Sequence, residues 1–387
     1  MLINDVKIHL LDLGRPRAVR RMFIIPGQTR AQFDRRAHPP DPATAEPELL
    51  ALIRIQTDTG IEGLCDAFYT FGPARPFAQT WLDAFRHELV GVDPLDREYI
   101  YQKLWFANRF NWLHPWMIGY ADVALWDIAG KAAGMPVCKL LGRFRDRIPA
   151  YVSSGNYPEL DAFVELGLRV KALGFKGYKL HSRLGPERDI AVARAVREAL
   201  GDDLALMHDP VQTYTYPEAV RVGRALEELD YKWLEEPLQE HDLPALTKLC
   251  ATLDLPIAAG EWVFGGPHIA ATMLAQNAAD IIRGDAVVSG GITGLMKVAH
   301  VAEGWGAPCE VHERGPAFGF AHAHALAAMS NCEYFECNGV DPAEPSATPL
   351  LKQPLKVEDG NVIVPDGPGL GLEPNWDEIE RRTVEVL

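Results

Sequence analysis

The sequence predicts an α/β fold, a parallel (β/α)8 barrel with a smaller α+β capping domain, on the basis of three observations. Short apolar runs recur along the chain with helix-like segments between them. A reactive residue stands at or next to the end of each run, at intervals of 24 to 30 positions: Lys179, Asp209, Glu235, Glu261, Asp285, His312 and Glu336. The 387 residues also exceed the about 250 of a single barrel. Because such barrels collect their active site at the carboxyl ends of the strands, this repeat indicates both the fold and the site.

The region before the barrel, residues 1–120, has the pattern of an antiparallel sheet followed by helices. Residues 2–13 and 49–57 have strand-like apolar patterning, and a turn precedes a further strand-like run. Two apolar helical stretches follow, near 76–90 and 95–108. Because the barrel spacing is missing here, we expect this region to form a separate capping domain.

The barrel itself is predicted over residues 121–344. The helical run 117–133 leads into it, and Gly134 followed by Pro136 is a typical helix end. The run IPAYVSSG at 148–155 supplies the first strand, and the seven runs that end at the reactive residues supply the other seven. Eight strands are therefore accounted for.

The tail, residues 345–387, lies outside the repeat. The chain becomes rich in Pro and Gly and then gives one short strand-like run, NVIV, before a further turn. We expect the tail to return to the capping domain and to complete it.

Composition excludes several classes of function. The formal net charge of −15 disfavours nonspecific binding to nucleic acid or to anionic membranes, which needs clustered positive charge. No apolar stretch approaches the ~18 residues that span a bilayer, and the first residues lack the pattern of a secretion signal. The six cysteines form no C-x-x-C pair, so neither a zinc knuckle nor a disulfide framework is indicated. We expect a cytoplasmic enzyme with reduced cysteines.

Three acids at consecutive strand ends indicate a metal site. Asp209, Glu235 and Glu261 end neighbouring strands, which lie ~4.8 Å apart in a parallel sheet, so their side chains can converge on one ion. A set of oxygen ligands favours Mg²⁺, whereas Zn²⁺ prefers nitrogen and sulfur. The alternative is that each acid is solvated or caps a helix, but three acids in register favour the metal.

Taken together, several motifs resemble the enolase superfamily, and specifically its mandelate racemase subgroup. The motifs are ALWDIAGKAAGMPVCKLLG, the lysine at position 179, WLEEP, the series of strand-end acids and the PDGPGLG tail. The likeness covers essentially the whole chain. It implies a modified TIM barrel with a capping domain, a Mg²⁺ cofactor and a small carboxylate substrate, and such barrels are commonly homo-oligomers.

The resemblance also implies roles for individual residues. Asp209, Glu235 and Glu261 would bind Mg²⁺, Asp285 and His312 would form an acid/base dyad, and Glu336 would hydrogen-bond the enediolate. A protonated Glu336 would donate that hydrogen bond.

The residues alone support parts of this assignment. An imidazole titrates near neutrality and a carboxylate partner orients it, which favours His312 with Asp285 as the proton-transfer pair. Lys179 would place a fixed cation on the substrate carboxylate, where negative charge develops after removal of the α-proton. The alternative for Lys179 is a purely structural ion pair inside the barrel.

One departure from the subgroup pattern leaves the reaction open. The second strand often carries Lys-x-Lys, whereas this chain has Lys179-Leu180-His181. Residues two apart on a strand share a face, so His181 points into the same site. With His181 as a second base, the enzyme would be a racemase, epimerase or cycloisomerase. With His181 in a binding role, His312 would dehydrate an aldonate or aldarate in acid-sugar catabolism. The resemblance favours this lyase reaction, because many family members with this dyad are acid-sugar dehydratases.

Substrate contacts are expected from the cap and from one barrel strand. The segment 26–47 has no hydrophobic period and is typical of a long loop that closes an active site. The candidate contacts in this loop are Arg35, Arg36 and His38. A further candidate, Tyr69, lies in an aromatic run later in the cap. Arg283, two residues before Asp285, is predicted either to contact the substrate or to join a buried ion pair.

Overall fold

The computed structural model describes residues 1–16, 47–67, 73–312, 315–340 and 349–387. A closed barrel of eight parallel strands dominates it, as the sequence predicts. Each strand pairs with the next, and the eighth pairs with the first in the register Glu336 to Tyr151, which closes the barrel. The strands are β4 (Arg147–Ser153), β5 (Gly177–Leu180), β6 (Ala205–His208), β7 (Trp233–Glu235), β8 (Ile257–Ala259), β9 (Ile281–Gly284), β10 (Cys309–Val311) and β11 (Phe335–Asn338).

Helices follow the barrel strands and cover them on the outside. Their buried faces carry aliphatic residues, as an amphipathic helix packed on a sheet requires. They are α5 (Leu160–Ala172), α6 (Pro186–Leu200), α7 (Tyr216–Glu228), α8 (Leu243–Cys250), α9 (Pro267–Ala275), α10 (Ile292–Gly304) and α11 (Pro316–Ala328).

The capping domain is built on a four-stranded antiparallel sheet. Its strand order is β14-β1-β2-β3, so the last strand of the chain pairs with the first, with His9 opposite Val386. The strands are β1 (Ile3–Pro16), β2 (Pro47–Thr57), β3 (Glu62–Ala67) and β14 (Thr383–Val386). Helices α1 (Ala74–Leu89) and α2 (Arg97–Phe110) follow the sheet, close to the stretches predicted for them.

One long buried helix joins the cap to the barrel. This helix, α3 (Met117–Ala133), has the predicted bounds and ends at Gly134 in the left-handed conformation, with φ 62°. It packs so closely on β3 that a Cβ added at Gly63 would lie 2.0 Å from the carbonyl oxygen of Ala124. The short helix α4 (Val137–Leu141) then leads into the barrel.

The tail carries small elements that return to both parts. The strands β12 (Val357–Glu358) and β13 (Asn361–Ile363) extend from β4, and helix α12 (Trp376–Arg382) precedes β14. Among the described residues we find no helix with the length and apolar character needed to cross a bilayer.

The two ends of the barrel interior differ in chemistry. An aromatic cluster fills the end of the interior away from the carboxyl ends of the strands, where Tyr151 makes edge-to-face contacts with Trp233 and Tyr334. Above it, the Lys179 ammonium lies 5.4 Å from the centre of the Tyr151 ring. The barrel is therefore closed by apolar packing at one end, and its charged groups collect at the carboxyl ends of the strands.

Candidate active site

The barrel brings the predicted site residues together at one end and buries most of them. Asp209, Glu235, Glu261 and Asp285 stand at, or one or two residues beyond, the end of a short strand, whereas Glu336 lies within β11, two residues before its end. The alternation along the strands directs these side chains inward. Their exposed fractions are between 0 and 4 %, a degree of burial that charged groups tolerate only when paired. The buried set is Lys179, Asp209, Glu235, Glu261, Arg283, Asp285 and Glu336.

Lys179 is the first centre of an ion-pair network. Its Nζ lies 2.8 Å from Glu235 Oε1, 2.9 Å from Glu336 Oε1 and 3.7 Å from Asp209 Oδ2. The contact with Glu235 has hydrogen-bond geometry, whereas the one with Glu336 Oε1 is ionic without it. One ammonium group therefore holds three carboxylates from three different strands.

Arg283 is the second centre. Its Nε lies 3.0 Å from Glu235 Oε1, and its Nη2 lies 2.7 Å from Glu336 Oε2 and 3.6 Å from Glu261 Oε2. The side chain is fully buried, with an exposed fraction of 0 %. Of the two predicted roles for Arg283, these contacts with three carboxylates favour the buried ion pair.

The network leaves an excess of negative charge. Four buried carboxylates (Asp209, Glu235, Glu261 and Glu336) share two buried cations (Lys179 and Arg283), so the formal charge of these six groups is −2 when all four acids are ionised. The neighbouring His181 and His312 are counted as neutral in this sum. An unbalanced charge is costly in a buried site. One divalent cation would neutralise it.

The donor chemistry of the strand-end acids fits Mg²⁺, but their side chains are not converged here. Among the described residues, no group of three His, Cys, Asp or Glu side chains is arranged so that it could hold a metal ion. The reason lies in Glu235: Oε1 is taken by Lys179 and Arg283, and Oε2 accepts a hydrogen bond of 2.9 Å from Trp233 Nε1. Metal binding by Asp209, Glu235 and Glu261 thus remains a prediction that requires these side chains to reorient.

The pKa shifts follow from the same network. Burial opposes ionisation of Lys179, but Glu235 and Glu336 outweigh it and raise the pKa of Lys179 above its ordinary value. Burial would raise the pKa of Glu336, yet Lys179 and Arg283 hold it well below the ordinary value. Glu336 Oε2 accepts a hydrogen bond from Arg283 Nη2 in this arrangement, and a hydrogen bond donated by a protonated Glu336 remains a prediction.

His312 and Asp285 form the predicted dyad. His312 Nδ1 lies 3.2 Å from Asp285 Oδ2, and its Nε2 lies 3.4 Å from Glu261 Oε1. The His312 side chain keeps 14 % of its surface exposed, more than any of the buried acids. Its Nε2 is thus placed among the strand-end acids and within reach of solvent.

His322, which the sequence did not indicate as a site residue, contacts the backbone next to Asp285 of the dyad. His322 on α11 is buried, and its Nε2 accepts a hydrogen bond of 2.9 Å from the backbone N–H of Ala286, the residue that follows Asp285. Asp285 Oδ1 in turn accepts the N–H of Val287 at 2.5 Å. No local pattern could have shown this contact, because it joins residues 36 positions apart.

His181 lies within the site but is bound to the acid of the next strand. Its Nε2 lies 2.7 Å from Asp209 Oδ2, and its Nδ1 lies 2.7 Å from Ser153 Oγ and 2.9 Å from the carbonyl oxygen of Ser154. Burial would raise the pKa of Asp209, but His181 and Lys179 lower it below its ordinary value. Both ring nitrogens of His181 are therefore engaged.

The loops that follow β6 and β7 have strained backbones. Val211, Gln212 and Glu236 have φ values of 52°, 59° and 41°, a region that costs non-glycine residues about 1–3 kcal/mol each. Hydrogen bonds hold the loops in this shape, from Val211 N to Asp209 Oδ1 (2.8 Å) and from Gln212 N to the carbonyl oxygen of Glu236 (2.7 Å). Such strain is typical of functional sites.

Two more buried acids lie next to the site. Burial and the nearby carboxylates of Glu240 and Glu261 raise the pKa of Glu236 well above its ordinary value, and Glu236 hydrogen-bonds Glu240. The sequence did not indicate Glu240, because a buried acid in a polar loop segment cannot be distinguished by sequence from an acid exposed to solvent. The predicted cap contacts Arg35, Arg36, His38 and Tyr69 lie outside the described residues.

Comparisons with known proteins agree with this architecture. Residues 162–378 match the family described as "Enolase C-terminal domain-like", and residues 35–142 match "Mandelate racemase / muconate lactonizing enzyme, N-terminal domain".

Similar proteins are sugar-acid enzymes. D-galactarolactone cycloisomerase from Agrobacterium fabrum is 31% identical over 98% of both chains, and L-talarate/galactarate dehydratase from Salmonella typhimurium is 34% identical over 73% of this chain and 70% of its own. The crystal structure of D-glucarate dehydratase from Agrobacterium tumefaciens, complexed with magnesium, superposes with a TM-score of 0.84 at 29% identity and covers all of both chains. By its barrel, its cap and these matches, the chain belongs to the mandelate racemase subgroup of the enolase superfamily.

Proposed function

We propose that this protein is a Mg²⁺-dependent lyase that dehydrates a sugar acid, an aldonate or an aldarate, to a 2-keto-3-deoxy acid. The observation that carries the proposal is the buried charge of −2 shared by four strand-end carboxylates and two fixed cations. One divalent cation would balance this charge and would supply positive charge next to the carboxylate of a bound substrate. Relatives of the family act on galactarate, talarate and galactarolactone, as their names state.

Asp209, Glu235 and Glu261 would hold the metal ion. When bound, Mg²⁺ supplies positive charge next to the substrate carboxylate, which gains a second negative charge as the α-proton leaves. Lys179 would donate to the same carboxylate from the other side, and the nearby Glu235 and Glu336 favour its cationic form by raising its pKa.

His312 would carry out both proton transfers. As a neutral imidazole held by Asp285, it removes the α-proton, and the C–H electron pair moves into the enediolate. As an imidazolium, it then protonates the hydroxyl on the β-carbon, so that water leaves when the C–O bond breaks. The resulting enol becomes the keto acid by proton transfer to carbon. A single acid/base group near neutrality can perform both steps.

The position of His181 favours dehydration over two-base racemisation. A second base must direct a free nitrogen to the α-carbon, whereas both nitrogens of His181 are engaged by Asp209 and by Ser153 and Ser154. We therefore assign His181 to orienting Asp209. A cycloisomerase or epimerase remains the second candidate, and the relationship to D-galactarolactone cycloisomerase favours it specifically.

A panel of aldonates and aldarates, with 2-keto acid formation as the readout, tests the proposal. We expect product from at least one member with Mg²⁺ and none after chelation. The absence of product from every member in the presence of Mg²⁺ would contradict dehydration. In D2O, exchange of the α-proton without loss of a hydroxyl would instead support the isomerase.

A further inference from the structure

Glu240 is a buried acid that, besides its contact with Glu236, accepts hydrogen bonds from backbone N–H groups of the neighbouring loop. It lies five residues after Glu235, in the loop that leaves β7, and its exposed fraction is 0 %. Its Oε1 accepts the N–H of Gly260 and, at 3.0 Å, that of Glu261. Its Oε2 accepts the N–H of Trp262 at 2.7 Å. Three consecutive N–H groups therefore converge on one carboxylate.

These three N–H groups belong to the turn that leaves β8. Gly260 has φ 108°, a conformation that residues with a side chain rarely adopt, so the chain turns sharply there. The parallel ladder between β8 and β9 ends at Ala259, and no ladder partner remains for the turn. Glu240 takes the place of that partner, since buried N–H groups need an acceptor.

The three hydrogen bonds accepted by Glu240 connect the backbone segments that carry two neighbouring acids of the site. Glu235 ends the strand from which the Glu240 loop leaves, and Glu261 is the middle residue of the turn that Glu240 holds. Any movement of one backbone relative to the other would break at least one of the three hydrogen bonds. The relative position of Glu235 and Glu261 thus depends on Glu240.

We propose that Glu240 is a positioning residue that sets the Mg²⁺ affinity of the site by fixing the backbone of Glu261. The inference rests on the proposed function, in which Glu235 and Glu261 bind the metal. Loss of a group that orients a metal ligand typically weakens metal binding by about 10- to 100-fold. Glu240 would act only through Glu261 and would not touch the ion.

The chain provides a matched control for a merely structural role. Glu310 on β10 is likewise buried, and its carboxylate accepts the N–H of Glu333 at 2.8 Å and of Tyr334 at 3.2 Å. Tyr334 belongs to the aromatic cluster at the other end of the barrel, away from the strand-end acids. The two acids make the same kind of contact, but only that of Glu240 holds a proposed ligand.

The test compares Glu240→Gln with Glu310→Gln by calorimetric titration with Mg²⁺ and by thermal unfolding. A glutamine has one oxygen and one NH2, so at least one backbone N–H of the turn loses its acceptor. We expect both variants to unfold at a lower temperature. The Mg²⁺ Kd should rise about 10- to 100-fold in Glu240→Gln and stay within about twofold of wild type in Glu310→Gln. With an active substrate, saturating Mg²⁺ should restore kcat of Glu240→Gln.

An unchanged Mg²⁺ Kd in folded Glu240→Gln, or an equal rise in both variants, would overturn the inference. If Glu240→Gln does not fold, Glu240→Asp carries the same test, because it keeps both oxygens and shortens their reach; an unchanged Kd there overturns the inference as well. Failure of the metal assignment in the proposed function gives a different result, since wild-type protein would then show no Mg²⁺ binding. Failure of dehydration alone would appear in the sugar-acid assay and would leave the comparison of Mg²⁺ Kd values unchanged.

Discussion

At the scale of the residue, the proposed chemistry depends most on His312. The substitution His312→Asn keeps a similar shape but removes the acid/base group, which typically contributes 10²–10⁴-fold to the rate. We expect kcat to fall by at least about 10²-fold while Mg²⁺ Kd stays close to wild type. Turnover assays and Mg²⁺ titration of the same preparation measure both quantities.

His87→Asn is the control, because His87 lies on the exposed surface of α1. Turnover of His312→Asn equal to that of this control would contradict the assignment.

Lys179 combines catalysis with stability. Its replacement by methionine would leave Glu235 and Glu336 without their ammonium partner, and breaking a fully buried pair typically costs about 3–5 kcal/mol. Urea unfolding should show a loss of that size. Lys232→Met, which breaks a partly exposed pair with Glu333, should cost less than about 1 kcal/mol. Similar losses for the two variants would be inconsistent with the buried network.

The sequence predicted which residues gather at one end of the barrel, but it did not predict their contacts. The strand-end spacing placed Lys179, Asp285 and His312 there because alternation along a strand is a local property. The ion pair of Glu336 with Arg283 and the contact of His181 with Asp209 join side chains from different strands. Only the closed barrel brings these groups together.

At the scale of the element, acids of the cap side bind the first turns of barrel helices. Asp66 on β3 accepts the N–H of Ala317 at 2.7 Å, at the start of α11. Asp122 on α3 accepts the N–H of Thr293 at 2.9 Å and its hydroxyl at 2.6 Å, at the start of α10. His312 lies between β10 and α11, and Asp285 lies between β9 and α10. By holding the first turns of these two helices, the cap helps to fix the dyad.

Asp122 gives the stability a pH dependence. Burial raises its pKa from 3.8 to about 6, despite the hydrogen bonds from Thr293. The native state therefore binds this proton more tightly than the unfolded chain, and stability falls as pH rises from about 4 to above 6, by on the order of 2–3 kcal/mol.

In Asp122→Asn this loss should be absent. The unfolding free energy of the variant, relative to that of wild type, should therefore increase as the pH rises from about 4 to above 6. Urea unfolding at pH 4, 5, 6 and 7 measures the difference, with exposed Asp161→Asn as the control. A constant difference between wild type and Asp122→Asn would rule out the effect.

Element positions followed well from the sequence, whereas contacts between elements did not. The helix 117–133 was predictable because its apolar run and the Gly134 end are both local signals. The contacts of Asp66 with Ala317 and of Asp122 with Thr293 join residues 251 and 171 positions apart. No local pattern encodes such contacts.

At the scale of the whole molecule, the first and last strands of the chain share one sheet. A small apolar cluster joins the tail to that sheet: Leu11, Leu50, Leu52, Leu350 and Ile379. Ile379→Ala should lower the unfolding free energy by about 2–5 kcal/mol, because Ile379 is buried, while the Mg²⁺ Kd stays unchanged.

Val384→Ala on β14 is the control, since Val384 is largely exposed and should change stability by less than about 0.5 kcal/mol. An equal loss in both variants would show that the cluster contributes little. The predicted homo-oligomer and cytoplasmic location remain predictions for the intact protein.

The central claim is that Asp209, Glu235 and Glu261 converge on one divalent ion. A crystal structure with Mn²⁺, recorded for its anomalous signal, tests this most directly. We expect one peak with an oxygen of each acid at about 2.0–2.3 Å, and Glu235 released from at least one of Lys179 and Arg283. A site with no peak, in which both ion pairs to Glu235 persist, would contradict it.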